Sequence, residues 1–219
     1  IVGRVLAARG VDVEMAPLFL NPTLKALLPD PLHLKDMDRA VDRLCRAVKA
    51  GERIAIFGDY DVDGATSSAV LIRFLRALGC EPVLYIPDRI VEGYGPNTPA
   101  LLALMERGVD VVVTVDCGTT AFEPLQAAAA AGLDVIVVDH HEAEPALPVA
   151  VAVINPKRLD DPSEHKHLAA VGVVFLLVVA VNRALRQQGW YGPSRPEPDL
   201  MAWLDIVALG TVCDVVPLV

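Results

Sequence analysis

The chain has 219 residues, of which 53% are hydrophobic and only 5% aromatic, and its formal net charge is −9. That length can bury a core in one large domain or two small ones, and a core of Val, Ala and Leu suits parallel strands covered on both faces by helices. The acidic balance gives no support to nucleic-acid binding through bulk charge, although carboxylates that hold cations count as free acids in such a sum. Cys45, Cys80, Cys117 and Cys213 contain no Cys-x-x-Cys pair, which points to a reduced, cytoplasmic protein rather than a disulfide scaffold. Ile1 to Arg9 lack the charged start and long apolar stretch of a secretory signal. The apolar run Leu168 to Val181 is too short to span a bilayer and is expected as a buried helix, so no membrane partner is expected. A bare Ile1 and an end at Val219 read as the cuts of a longer polypeptide.

Residues 1–35 are Pro-rich and read as an irregular lead-in with one short helix. Asp36 is placed to cap a helix whose Met37, Ala40, Val41, Leu44 and Val48 share a face, with Gly51 ending it. From there strand-like and helix-like runs alternate. Ile54–Phe57 precedes a helix near Ala65–Leu78, closed by Gly79; Val83–Ile86 leads through a Gly-containing loop to a helix opened by Thr98-Pro99. Val111–Val115 leads to Phe122–Ala131, whose alanines favour helix. Val135–Val138 and Val149–Ile154 complete the strands, and two helices follow near 168–188 and 199–210. This alternation predicts an α/β fold, a doubly wound and mainly parallel sheet with helices on both faces. Ligands of such sheets bind at the carboxyl ends of the strands.

The acidic residues fall there. Asp59, Asp61 and Asp63 follow the first strand within Gly58-Asp-Tyr-Asp-Val-Asp-Gly64, and on an extended backbone that alternation would put all three on one side. Like charges so close disfavour ionisation unless a cation neutralises them, so the stretch reads as half of a divalent-metal site. An EF-hand loop would need a bidentate Glu where Val70 stands, and a helix where a strand precedes. A P-loop would need Gly-Lys, but Ala65 follows Gly64. In a haloacid-dehalogenase pattern Thr would follow Gly64 directly, and Ala65 intrudes. Helix capping alone accounts for one of the three acids.

Asp139-His140-His141 ends the Val135–Val138 strand, and Asp116 ends Val111–Val115 between the two signals, where it could bridge two cations. Several Asp with one His and no Cys favour Mn²⁺ or Mg²⁺. Asp214, in Gly210-Thr-Val-Cys-Asp-Val-Val-Pro217, would alone be a cap or surface residue; its company makes it a ligand candidate.

Taken in order, Gly58–Ser68, Val115–Thr119, Val138–His141 and Gly210–Leu218 resemble the four motifs of the DHH phosphoesterase superfamily. Ile86-Pro-Asp-Arg89, Glu92-Gly-Tyr-Gly-Pro-Asn97 and Leu168-Ala-Ala-Val-Gly-Val173 are similar to its single-strand-specific exonuclease branch. The resemblance covers nearly the whole chain and is weakest over residues 1–30. It implies a lead-in and helix over 1–50, a catalytic core over 51–219, and further C-terminal domains beyond this chain. It implies two ions, Mn²⁺ or Mg²⁺: Asp61 and Asp63 bind the two metals, Asp116 bridges them, and His140 and Asp214 complete the second ion's shell. His141 would face the scissile phosphate and Asp139 would orient a histidine. Asp59 has the least defined role of the acids: the pyrophosphatase branch has a His in place of Phe57, for which Asp59 would partly substitute. Arg89 and His167 are candidate phosphate contacts.

The implied reaction is two-metal hydrolysis of phosphodiesters, 5′-to-3′ on single-stranded DNA, in repair and recombination, with single-strand-binding protein and a helicase as partners. The alternatives are a phosphodiesterase for short oligonucleotides or cyclic dinucleotides, and a non-catalytic replication scaffold. Without further DNA-gripping domains these residues alone are expected to act weakly.

Overall fold

The computed structural model describes residues 1–218, in two compact units, Ile1–Asp30 and the residues from Pro31 onward. The first contains three short helices, α1 (Val2–Ala8), α2 (Ala16–Leu20) and α3 (Leu24–Leu27), more regular than the sequence implies.

The second unit opens with a 3₁₀ turn at Pro31–His33 and α4 (Met37–Ala50). Gly51 ends α4 in the left-handed conformation, φ 69°, as expected of a C-cap glycine. Asp36 precedes α4 but makes no side-chain cap. Its own φ is 62°, and its carboxylate turns away to accept from Val153 N at 3.1 Å and Arg158 Nη1 at 2.7 Å. Then follow β1 (Ile54–Gly58), α5 (Val62–Ala77), β2 (Val83–Tyr85), α6 (Thr98–Glu106), β3 (Val111–Val115), α7 (Phe122–Ala131), β4 (Asp134–Val138) and β5 (Ala152–Ile154). A long α8 (Ala170–Gln187), a 3₁₀ turn at Leu200–Trp203 and α9 (Leu204–Cys213) close the described chain. The cap of α6 is Asn97, whose Oδ1 accepts from Ala100 N at 2.9 Å, so Thr98 and Pro99 occupy its first turn.

All five strands are parallel, in the order β2-β1-β3-β4-β5. Alternation assigns the two faces. Ala55, Phe57, Val112, Val135, Val137 and Val153 pack with Leu101, Leu104, Leu125 and Ala128 of α6 and α7. Ile54, Ile56, Val111, Val113, Ile136 and Ile154 point the other way, toward the side occupied by α4, α5 and α8. Fully buried strands of this kind read as continuous Val/Ile runs because both faces are covered. Among the described residues α8 alone is long and apolar enough to cross a membrane by composition. Yet 72% of it is buried within this chain, the behaviour of a core helix.

Chain order reverses between β1 and β3, the topological switch point at which such sheets open a crevice at their carboxyl ends.

Candidate metal centre

In register, Gly58 pairs with Val115, Val115 with Val138, and Val138 with Ile154. The residue after each strand therefore stands in one row, which reads Asp59, Asp116, Asp139, Asn155. The ladder runs one bond further to hold it: Asp59 N donates to Val115 O (3.3 Å), Asp116 N to Val138 O (3.0 Å) and Asp139 N to Ile154 O (3.0 Å). All four residues are buried.

The expected alternation of Asp59, Asp61 and Asp63 on an extended backbone is not how they are held, because α5 begins at Val62. Asp59 ends the strand row. Asp61 is the N-cap of α5 and accepts from Gly64 N at 2.9 Å. Asp63 lies in the first turn, and its two oxygens accept from Ala170 N (2.6 Å) and Val171 N (2.8 Å), the first amides of α8. A carboxylate there satisfies two orphan amides of α8 and meets the positive end of its dipole.

Asp116 carries φ 61°, the left-handed region that β-carbon crowding makes costly outside glycine. Tyr94 Oη donates to its carbonyl at 3.2 Å, and the next turn is stabilised by Thr114 Oγ1 donating to Cys117 O at 2.9 Å. Gly118 has φ +114°, and a β-carbon there would meet Thr114 Oγ1 at 2.7 Å, so the turn requires glycine. Cys117 is buried with its thiol against the carbonyls of Phe57 and Val115 and belongs to none of the ligand groups found among the described residues, which leaves an oxygen and imidazole donor set.

Among the described residues, three groups of ligand atoms form around this row, each with its members within 4.8 Å of one another. They are Asp59-Asp61-Asp116, Asp63-His140-Asp214 and Asp116-His140-His141. His140 Nε2 lies 3.3 Å from Asp116 Oδ1 and 3.7 Å from both Asp63 Oδ2 and Asp214 Oδ2. Asp59 Oδ1, both carboxylate oxygens of Asp116 and both ring nitrogens of His140 are buried without a hydrogen-bond partner. Buried acceptors left so cost about 1–3 kcal/mol each, more when charged. Burial, followed by the charges of Asp63 and Asp61, pushes Asp116 up to about 10. Burial likewise raises Asp63 and Asp59. A divalent cation resolves both problems at once, supplying the missing partner and the counter-charge. The residues fit Mn²⁺ or Mg²⁺.

His141 is half-exposed and differently held. Its Nδ1 lies 2.7 Å from Asp139 Oδ1, which also accepts from the His140 and His141 amides at 2.7 and 3.2 Å. Burial acts to raise Asp139, but His141 and Thr119 outweigh it and lower the carboxyl to about 2. The Asp139 hydrogen bond in turn raises His141.

Arg89 is exposed, its guanidinium 4.9 Å over the Tyr60 ring, and its charge reaches Asp59. His167 lies on the loop between β5 and α8, its ring 5.9 Å from that of His165. Sequence reasoning missed the α8 amides behind Asp63, the hydroxyl of Tyr94, and the Thr119 and Asn155 side chains beside Asp139. Tyr94, Thr119 and Ala170-Val171 lie within the motifs quoted above, which gave them no role, and the signal for Asn155 is its place directly after the last strand.

Residues 53–211 match the DHH family, N-terminal domain. The chain belongs to the DHH family. Its relatives include the single-stranded-DNA-specific exonuclease RecJ of Bacillus subtilis (strain 168), 42% identical over 219 residues, all of this chain and 26% of that protein. RecJ of Escherichia coli (strain K12) is 41% identical over 217 residues, 98% of this chain and 37% of that protein. This DHH chain thus spans well under half the length of either relative. Among solved structures, exonuclease RecJ bound to manganese superposes with a TM-score of 0.72 at 35% identity, over 84% of this chain and 44% of that one. RecJ of Thermus thermophilus in complex with Mn²⁺ gives 0.69 at 33% identity, over 90% of this chain and 26% of that one.

Proposed function

We propose that this DHH centre hydrolyses phosphodiester bonds with two divalent cations, Mn²⁺ or Mg²⁺, and that its substrate is single-stranded DNA, degraded from the 5′ end. The observation that carries the reading is Asp116: a buried carboxylate with neither oxygen hydrogen-bonded, shared between the Asp59-Asp61 group and the His140-His141 group. Asp59, Asp61 and Asp116 would hold one ion; Asp63, His140 and Asp214 would hold the other, with Asp116 between. This gives Asp59 a ligand's part rather than a loosely defined one. Bound there, the cations would ease deprotonation of the attacking water and offset charge on the phosphate oxygens.

The chain's own residues do the rest. Asp139 holds a proton on His141 Nδ1, so Nε2 is the ring atom presented to substrate, able to donate to the phosphate or the leaving oxygen. Arg89 at the rim and His167 further along the loop are the proposed phosphate contacts. The restriction to single strands and the 5′-to-3′ direction rest on the RecJ relatives. So do action in repair and recombination, a cytoplasmic location, and partnership with single-strand-binding protein and a helicase.

The test offers a 5′-labelled single strand, its duplex and dinucleotides, with Mn²⁺. The expected result is cleavage of the single strand, sparing of the duplex, and loss of both cleavage and Mn²⁺-dependent thermal stabilisation in Asp116→Ala. Faster turnover of dinucleotides would transfer the site to small-substrate phosphodiesterases. Absence of any Mn²⁺-dependent stabilisation would favour a non-catalytic scaffold.

A further inference from the structure

Asn155 is the fourth member of the strand-end row, and its side chain is fully buried. Its amide makes three hydrogen bonds. Nδ2 donates to His141 O at 2.8 Å and to Thr119 Oγ1 at 2.9 Å, while Oδ1 accepts from Lys157 N at 2.8 Å. The partners fix which way the amide faces: a carbonyl can only accept, and a backbone N–H can only donate.

Thr119 Oγ1 accepts a hydrogen bond from Asn155 Nδ2, which pins the Thr119 side chain. The Thr119 amide donates to the Asp139 carboxylate, at 3.0 Å to Oδ2. Asp139 is thereby surrounded by donors on both oxygens and acts only as an acceptor. The atom facing it from His141, Nδ1, must then carry hydrogen, which leaves Nε2 outward. At the same time Asn155 grips the His141 carbonyl, fixing the backbone from which the imidazole projects.

We propose that Asn155, through its bonds to the His141 carbonyl and to Thr119, whose amide bonds Asp139, is the positioning residue that keeps His141 Nδ1 aimed at Asp139 and Nε2 outward. The inference rests on the phosphodiesterase reading for its catalytic consequence, but its structural half stands apart from it. None of Asn155, Thr119, Lys157 or His141 belongs to the Asp59-Asp61-Asp116 and Asp63-His140-Asp214 groups proposed to hold the ions, so metal binding should be spared.

Asn155→Asp tests this with a near-isosteric change. The new carboxylate can donate neither to His141 O nor to Thr119 Oγ1. With histidine nitrogens labelled and Mg²⁺ present, ¹⁵N spectra of the wild type should show His141 protonated at Nδ1, and the variant should lose that signature. Cleavage of single-stranded DNA should fall about 10- to 100-fold in kcat, the usual cost of removing a group that orients a site residue, with KM and Mn²⁺ affinity within about twofold. Thr119→Val should reproduce the loss and Thr119→Ser should rescue it, which keeps the test open should Asn155→Asp fail to fold. An unchanged His141 spectrum in Asn155→Asp and Thr119→Val would overturn the inference, as would a parallel collapse of Mn²⁺ affinity. A wild type with the expected spectrum and no phosphodiesterase activity would instead refute the proposed reaction.

Discussion

Gly64→Ala sets two effects of opposite sign against each other. Gly64 lies in the first turn of α5, where the advantage of alanine over glycine is at most that of a helix interior, about 0.5–1 kcal/mol. A β-carbon at Gly64, however, would stand 2.5, 2.7 and 2.8 Å from the O, C and Cα of Asp59. These are backbone atoms of the strand row, itself tied to Val115 by the Asp59 amide, so no flexible side chain can swing aside. Overpacking of this kind costs about 1–3 kcal/mol, and with backbone atoms that cannot yield it falls in the upper part of that range, leaving a net loss of up to about 2.5 kcal/mol. In a chain of this size that lowers Tm by several degrees. The displacement falls between Asp59 and Asp61, two members of one ligand group, and a misplacement of about 1 Å can cost about 100-fold in rate. Thermal melts with and without Mn²⁺ read both consequences, and the Mn²⁺-dependent increment should shrink as well as the metal-free Tm. A variant with the wild-type Tm or a higher one, and an undiminished Mn²⁺ increment, would refute the claim that the turn needs glycine to let α5 approach the strand end.

Other outcomes follow from the same geometry. Asp116→Asn should keep or raise the metal-free Tm, since it removes a carboxyl that burial and its acidic neighbours already disfavour, while abolishing stabilisation by Mn²⁺. Against wild type, Asp36→Asn should lose about 1 kcal/mol at neutral pH, after allowance for solvent screening at a side chain 19% exposed. Burial opposes ionisation of Asp36, but Val153 N and Arg158 overcome it and lower the carboxyl, so the stabilisation is complete above the unfolded carboxyl range. It fades as pH falls from the unfolded carboxyl value through the lower folded one, so urea titrations of the two proteins should begin to approach each other near about pH 4 and converge only at more acid pH. With a thiol reagent at pH 8, exposed Cys213 should react first and half-buried Cys80 more slowly. Cys45, pushed up to about 11 by burial, and enclosed Cys117 should react only on unfolding; fast loss of all four thiols would contradict the packing around β1 and α4. The 219 residues alone should degrade single strands weakly and without processivity, and robust processive digestion in a Mn²⁺ gel assay would count against the need for further DNA-gripping surfaces.

The strands and the row they present were legible because periodicity and strand-end acids are local signals: Val111–Val115 and Asp116 adjoin in sequence as they do in space. What lies behind each acid was not legible, because it comes from residues distant in the chain. Asp63 shows the difference. From sequence it was one of three alternating acids; in the fold it is held by amides of α8, more than a hundred residues away. The alternation that drew attention to it was a by-product of a strand end, a helix cap and a first-turn position falling two residues apart. Asp36 misled for the same reason: its place before α4 is that of a cap, yet Arg158 and Val153 N, which face it across the fold, offer a charge-assisted pairing the cap could not. Asp116 adds a constraint that no pattern could reveal. A non-glycine residue at φ 61° persists only where surrounding bonds over-determine it, and here the Val138 carbonyl and the Tyr94 hydroxyl grip it from two sides. The strain therefore makes a specific demand of the loop around Tyr94, two of whose flanking residues, Gly93 and Gly95, are themselves left-handed. That loop belongs to the site as a support for Asp116, whatever Arg89 does at its rim.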